Sequence, residues 1–309
     1  MSRTLLKAAL VVVLLPALAA ARSAVIPSMQ FNAQLNALKV NLLKNASTVG
    51  TKSYNEREIL VRLLDDRDPA VRIAALKSLK NYVTQTSRVR DRVLRVYRDS
   101  SEKIEVRIQA AKTLLFASHY NDVWDRLLSI ARYDNNTALR AISYKALYFQ
   151  AAGNNRVRDR LKDAARNESN KEVRLAAIWG LFAATGDNRT RDILVNLARR
   201  DSDMDIRVEA LKSLYNGMGN WRLADMVRDT ARNTSTDERL RLPSILLLSR
   251  LQDSRTRDIL INLARSERNT VLRQAAITAM NPNDESIWEY FHLIRRDQQG
   301  RLIDPLENE

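Results

Sequence analysis

Apolar residues recur along this chain in a short helical phrase that returns about every 34 residues. The clearest copy runs from Val71 to Leu79 and consists of a β-branched residue, an arginine, an Ala/Ser-rich stretch and a leucine. The arginines of the seven copies are Arg72, Arg107, Arg140, Arg174, Arg207, Arg241 and Arg273. A fixed period with one amphipathic phrase in each copy is typical of stacked helical repeats. The pattern therefore predicts an all-α fold, an α-solenoid in which each repeat is a pair of helices.

Polar residues mark where the helices of each repeat begin and end. Four positions before the phrase arginine, six copies carry Asp or Asn and the second carries Lys103. We expect these six to cap the second helix of each pair: Asp68, Asn136, Asn170, Asp203, Asp237 and Asn269. Glycines that follow second helices, Gly153, Gly186 and Gly217, predict left-handed C-terminal caps. Pro243 lies inside the sixth second helix, which should therefore kink or start late.

The two ends of the chain differ from the repeats. In residues 1–21, Arg3 and Lys7 precede a short apolar run that ends in small residues, which predicts an export signal and a periplasmic or secreted protein. Residues 22–53 predict an N-terminal capping helix and a linker, residues 54–283 the repeat array, and residues 284–309 a C-terminal capping helix and tail.

The first copy resembles the HEAT-repeat family in its short bacterial form. Asp68-Pro69, Val71-Arg72, Ala74-Ala75 and Leu79 match the family's Asp-Pro, Val-Arg, Ala and Leu positions, and the resemblance covers roughly residues 54–281. It implies a right-handed superhelix of about seven HEAT-like helix pairs with capping helices. Family members are mostly binding scaffolds, although related repeats also serve as phycobilin lyases and DNA glycosylases.

A helical wheel separates two sets of residues on the second helices. The phrase arginines fall in the middle of the apolar arc, so we expect a structural ladder in which they bond acids or carbonyls of the preceding helix. The side two, five and nine positions after the arginine should line the concave surface. It predicts a partner-binding groove with an aromatic middle flanked by lysines: Trp179, Phe149, Phe116, Ile142, Lys77, Lys112, Lys145 and Lys212. The alternative is that solenoid curvature buries Trp179 and the lysines are merely solvated.

Composition bounds the function without naming the partner. The formal net charge of +15 could attract an acidic polymer, but much of it interleaves with acids on the first helices, from Asp91 to Asp258. There are no cysteines and two histidines, and no phosphate-binding loop, metal motif or nucleophile elbow is present. We therefore predict a non-enzymatic scaffold for a protein or peptide, with no cofactor and no metal. A binder of nucleic acid or an anionic envelope glycan is the alternative, and a lyase or glycosylase is a weaker one.

Overall fold

The computed structural model describes residues 54–291 and Leu306. The predicted export signal, N-terminal capping helix and linker lie outside these residues, as does most of the predicted tail. The chain divides into two compact units at Gln85 and Thr86, which we call unit 1 and unit 2. Over the described ranges, every regular element is a helix.

Unit 1 contains the first repeat. Helix α1 (Tyr54–Arg62) continues into a 3-10 turn, Leu63–Asp65, and packs against α2 (Pro69–Leu79). Asp68 caps α2 by accepting a hydrogen bond from the amide of Ala70 at 2.8 Å, and Pro69 occupies the first turn, as predicted.

Unit 2 contains six further helix pairs and a last short helix. The pairs are α3 (Ser87–Arg98) with α4 (Ile104–Leu114), α5 (Asn121–Tyr133) with α6 (Thr137–Ala146), α8 (Asn155–Asn167) with α9 (Lys171–Gly180), α10 (Asn188–Arg200) with α11 (Met204–Ser213), α12 (Trp221–Arg232) with α13 (Glu238–Leu247), and α14 (Ser254–Ser266) with α15 (Thr270–Ala279). A single turn, α7 (Tyr148–Ala151), follows α6, and α16 (Glu285–Tyr290) follows the last pair.

The second helices form the spine of unit 2. Each first helix packs against the second helix of its own pair, and α4, α6, α9, α11, α13 and α15 pack on one another in that order. First helices of neighbouring repeats contact each other more sparsely. This arrangement is the all-α solenoid that the repeat pattern predicted. None of the helices in residues 54–291 is long and apolar enough to cross a membrane.

The predicted caps at the starts of the second helices are confirmed. Asn136, Asn170, Asp203, Asp237 and Asn269 each accept a hydrogen bond from a main-chain amide of the following turn. Lys103 makes no such bond, because its side chain carries no acceptor. The sequence therefore located six of the seven starts by their chemistry.

The prediction that left-handed glycines cap the ends of the second helices is wrong. None of Gly153, Gly186 and Gly217 adopts the left-handed conformation. Four second helices instead continue into right-handed 3-10 turns: Leu115–Ala117, Phe182–Ala184, Tyr215–Gly217 and Leu248–Arg250. In these turns amides bond back to carbonyls three residues earlier, so the terminal carbonyls are satisfied without a left-handed residue. Pro243 lies inside α13, which begins at Glu238 and so does not start late.

Candidate partner-binding surface

Three of the predicted lysines share one side of the stacked second helices. Lys112, Lys145 and Lys212 each stand five positions after a phrase arginine, on α4, α6 and α11. The intervening helix α9 carries Trp179 at the same position. Because equivalent positions of stacked helices point the same way, these four residues define one surface of unit 2, which we call the lysine face.

Trp179 was expected to be an exposed aromatic anchor, and that expectation is wrong. Its side chain is 5% exposed. The ring of Tyr148 lies against it with centroids 5.1 Å apart, and Nζ of Lys145 stands 6.0 Å from the centroid of the indole. Tyr148 comes from α7, the extra turn after α6, and fills the space in front of the indole. Trp179 is therefore buried at the lysine face and is not exposed for contact with a partner.

The other apolar residues of the predicted groove fall into three environments. Ile142 is buried, at 5% exposed, contrary to the expectation that it lines an open groove. Phe116 is half-buried, whereas Phe149 is exposed and meets the ring of Tyr148 edge-on at 5.3 Å. Lys77 belongs to unit 1, where its side chain is exposed, and so is not part of the lysine face.

Lys112 is the most buried lysine of the face. Its side chain was expected to be exposed, but the residue is 8% exposed. Its ammonium group donates a hydrogen bond of 2.7 Å to the main-chain carbonyl of Leu306, a residue that is fully buried. A strongly hydrated ammonium group leaves water only where polar atoms replace the hydration. The carbonyl of a distant part of the chain supplies one such atom here.

Lys212 meets the last described helix. Its Nζ lies 4.9 Å from the ring centroid of Tyr290 and 4.0 Å from a carboxylate oxygen of Glu209. Burial raises the pKa of Tyr290 to about 12, with a smaller contribution from the negative charge of Glu209. Phe291, which follows Tyr290, is buried with its ring 4.8 Å from that of Tyr215. The end of α16 thus packs on α11 and the turn after it.

A row of aromatic rings that the sequence analysis missed borders the lysine face. Tyr148, Phe182 and Tyr215 stand eight positions after three successive phrase arginines, and their ring centroids are 6.0 and 6.1 Å apart. Burial raises the pKa of Tyr148 to about 12. The signal was present in the sequence as an aromatic residue recurring at one register.

The phrase arginines have the partners that a structural role requires. In five copies of unit 2 the guanidinium Nε donates to a carbonyl near the end of the first helix of the same pair, at 2.8–3.3 Å: Tyr97, Ala131, Ala165, Ala198 and Ala231. Arg72 and Arg273 donate through Nη1 instead, to the carbonyls of Asp66 and Glu267. Each arginine therefore ties the two helices of its pair together.

Four of these arginines also reach the next repeat. Arg107, Arg140, Arg174 and Arg241 pair with Asp134, Glu168, Asp201 and Glu267, each of which ends the following first helix. Burial alone would raise the pKa of Glu267, but bonds from the amide of Asn269 and from Arg241 hold it below its usual range. In the repeat after Arg207, the corresponding residue is Asn233, which carries no charge. Sequence reasoning expected acidic partners but did not identify these four.

No group of His, Cys, Asp and Glu within residues 54–291 could hold a metal ion. His119 is exposed and its ring lies tilted against that of Tyr120, with centroids 4.1 Å apart, and His292 lies outside the described residues.

These features define the class of protein: it is an α-solenoid whose second helices carry the lysine face. The model of the HEAT repeats matches residues 56–147, 91–182, 124–215 and 191–281. The chain therefore belongs to the HEAT-repeat family. No curated protein matches it in sequence.

Solved structures are similar to the chain at low sequence identity. The CpcE–CpcF complex of phycocyanin lyase from Nostoc is 12% identical, with a TM-score of 0.47 over 75% of this chain and 88% of that one. A Kap121p mutant is 13% identical, with a TM-score of 0.48 over 76% of this chain and 30% of that one. Human deoxyhypusine hydroxylase is 15% identical, with a TM-score of 0.34 over 84% and 99%.

Proposed function

We propose that this protein is a non-enzymatic scaffold that binds a protein or peptide partner on the lysine face of unit 2. The observation that carries the proposal is the contact between Lys112 and Leu306, in which the face receives a main-chain carbonyl from a remote segment. A hydrogen bond to the main chain of a residue that is itself a fully buried leucine combines the two features of peptide recognition. The hydrogen bond fixes the segment, and burial of the apolar side chain contributes the affinity.

The chemistry of the face supports a protein partner over an acidic polymer. Lys145 and Lys212 lie beside the rings of Trp179 and Tyr290, and Lys212 also faces Glu209. Polyanion binding relies on cations that can release counterions along a backbone. Lysines set among rings and carboxylates are better suited to a mixed surface in which apolar contacts and charges alternate.

We further propose, from the export signal predicted in residues 1–21, that the scaffold works outside the cytoplasm. Fractionation of cells that produce the full chain, with mass spectrometry of its N-terminus, checks this part of the proposal. We expect the mature protein in the periplasm or medium without those residues. Recovery of the intact N-terminus in the cytoplasm would contradict it.

A pull-down with the purified full chain tests the binding proposal. In the variant Lys145→Glu with Phe149→Ala, we expect recovery of a co-purifying protein to fall at least tenfold. The two substitutions reverse one charge of the lysine face and remove one exposed ring. Arg200→Glu, at an exposed position of α10, is the matched control because it changes the net charge equally. Melting curves of all three chains separate loss of binding from loss of fold.

Three outcomes would contradict the proposal. Recovery could be unchanged in the double variant, or it could fall equally in the Arg200→Glu control. It could also disappear after nuclease treatment and fall steeply with salt, which would identify a nucleic acid as the ligand.

A further inference from the structure

Positions on the lysine face that should meet solvent are covered. Trp179 and Lys112 are 5% and 8% exposed, and Ile142 and Leu246, which lie on the same side, are 5% and 6% exposed. A helical wheel places this side of the second helices away from their own first helices, so its burial requires other parts of the protein. Tyr148 covers Trp179, whereas Lys112 and Lys212 are met by described residues from the C-terminal end of the chain.

The C-terminal end meets the face at two separated points. At one point, Tyr290 lies under Lys212 and Phe291 packs on Tyr215. At the other, the carbonyl of Leu306 accepts from Lys112, across 194 positions of sequence, and Leu306 is fully buried. Both points involve lysines at the same register of their repeats.

The length of chain between these points fits the distance that it must cross. Lys212 is on α11 and Lys112 on α4, with α9 and α6 packed between them. Neighbouring packed helices are about 8–10 Å apart, so three steps span roughly 30 Å. The fifteen positions from Phe291 to Leu306 can reach about 50 Å when extended.

The sequence around Leu306 complements the charge of the face. In the sequence, Asp304 precedes Leu306 and Glu307 and Glu309 follow it, while Lys112, Lys145 and Lys212 mark the face. Carboxylates near lysines are attracted without deep burial of either charge. The segment thus combines a buried apolar residue, Leu306, with an acidic sequence that is opposite in charge to the lysines.

We propose that the C-terminal segment is an internal ligand of the lysine face, and that the partner carries the same chemistry, a leucine-type anchor between carboxylates. This inference rests on the proposed function and names both the partner class and its competitor. A tethered ligand acts at an effective concentration of about 1 mM. If the free segment binds with a Kd of about 100 µM, the tethered copy weakens the apparent affinity for an external segment about tenfold.

A labelled synthetic peptide of residues 298–309 tests this, with full-length chains as receptors. We expect the peptide to bind the Leu306→Asp chain about tenfold more tightly than the wild-type chain, because the internal copy no longer competes. Adding Lys112→Met to the Leu306→Asp chain should abolish that binding while keeping the apolar stem of the side chain. A peptide that itself carries Asp in place of Leu306 is the matched control and should bind none of the chains.

The absence of native cysteines allows a second measurement. A fluorophore on Asn308→Cys should show high anisotropy in the otherwise wild-type chain. The anisotropy should fall when Leu306→Asp is added or when excess unlabelled peptide is present. The comparison with the Leu306→Asp chain does not depend on the affinity of the free peptide.

Several results would overturn the inference. In the binding experiment, these are equal affinity of the peptide for the wild-type and Leu306→Asp chains, no binding to the Leu306→Asp chain, or no effect of Lys112→Met on that binding. In the anisotropy experiment, it is an anisotropy that does not change when Leu306→Asp is added. If these occur while partner recovery still depends on Lys145 and Phe149, the internal ligand fails and the proposed function stands. If partner recovery ignores the face, the proposed function fails whatever the peptide does.

Discussion

Among the glycines of the described residues, Gly180 stands where two repeats approach each other most closely. A Cβ atom at this position would stand 2.9 Å from Cδ2 of Leu161 and 3.0 Å from the carbonyl oxygen of Tyr144. The first contact could relax by movement of a side chain, but the second is with the backbone of α6. The position therefore requires glycine for space and not for backbone conformation.

We expect Gly180→Ala to lower the free energy of unfolding by about 1–3 kcal/mol, because the added methyl group forces α9 away from α6. Thermal or urea unfolding of the full chain measures the change. Gly186→Ala is the matched control, since nothing lies within 4 Å of a Cβ atom there and its backbone is not left-handed. It should be neutral or stabilise by a few tenths of a kcal/mol. Equal stability of the two variants would contradict the packing argument.

The sequence did not reveal this difference between glycines. All three glycines assigned as caps were placed by their position after a helix, a local criterion. Gly180 is the last residue of α9 and was not among the predicted caps. Glycine is required at this position because of the neighbouring helix, so only the packed structure reveals the requirement.

At the scale of the element, the starts of the second helices follow local chemistry. Six carry Asp or Asn at the cap, and each accepts from an amide two or three residues later. Helix α4 is the exception, because Lys103 at its cap makes no such bond. Its first amides consequently lack a side-chain acceptor from the cap position.

Replacing Lys103 by Asp supplies the missing cap to α4. We expect Lys103→Asp to raise the free energy of unfolding by about 1 kcal/mol, since the backbone at this position is already extended and the carboxylate reaches the next turn. Thermal unfolding of the full chain is the measurement. Lys103→Ala removes the same positive charge without adding an acceptor, and should not stabilise. A gain of equal size in both variants would show that charge alone is responsible.

At the scale of the whole molecule, the arginine ladder links one repeat of unit 2 to the next. Arg107, Arg140, Arg174 and Arg241 each join a carbonyl of their own pair to an acid of the following repeat. The link between the fifth and sixth repeats lacks the acid, because Asn233 stands where the others have Asp or Glu. In a linear array, stability depends on each such interface.

We expect Asn233→Asp to strengthen this interface by about 0.5–1 kcal/mol, because Arg207 would gain a charged acceptor. Unfolding of the full chain measures the gain. Asn233→Ser keeps an acceptor for the amide of Ser235 without the charge and is the matched control. In a chain that also carries Arg207→Gln, the gain from Asn233→Asp should vanish; a gain that persists would exclude the pair as its cause.

The amino-acid sequence by itself determined the features that repeat. The period, the helix pairs, the caps and the placement of the phrase arginines among apolar residues follow from residues a few positions apart, so each copy carries its own evidence. The family is recognisable for the same reason. The predicted glycine caps were wrong because a 3-10 turn satisfies the same terminal carbonyls without a left-handed residue.

Only the tertiary structure decided which side of the second helices meets water. A helical wheel shows that one side is free of its own repeat, but it does not show what else covers that side. Trp179 is closed off by Tyr148 from the turn after the preceding second helix, and Lys112 meets Leu306 from 194 positions away. Burial is a property of everything that packs on a residue, and a contact so distant leaves no periodic trace in the sequence.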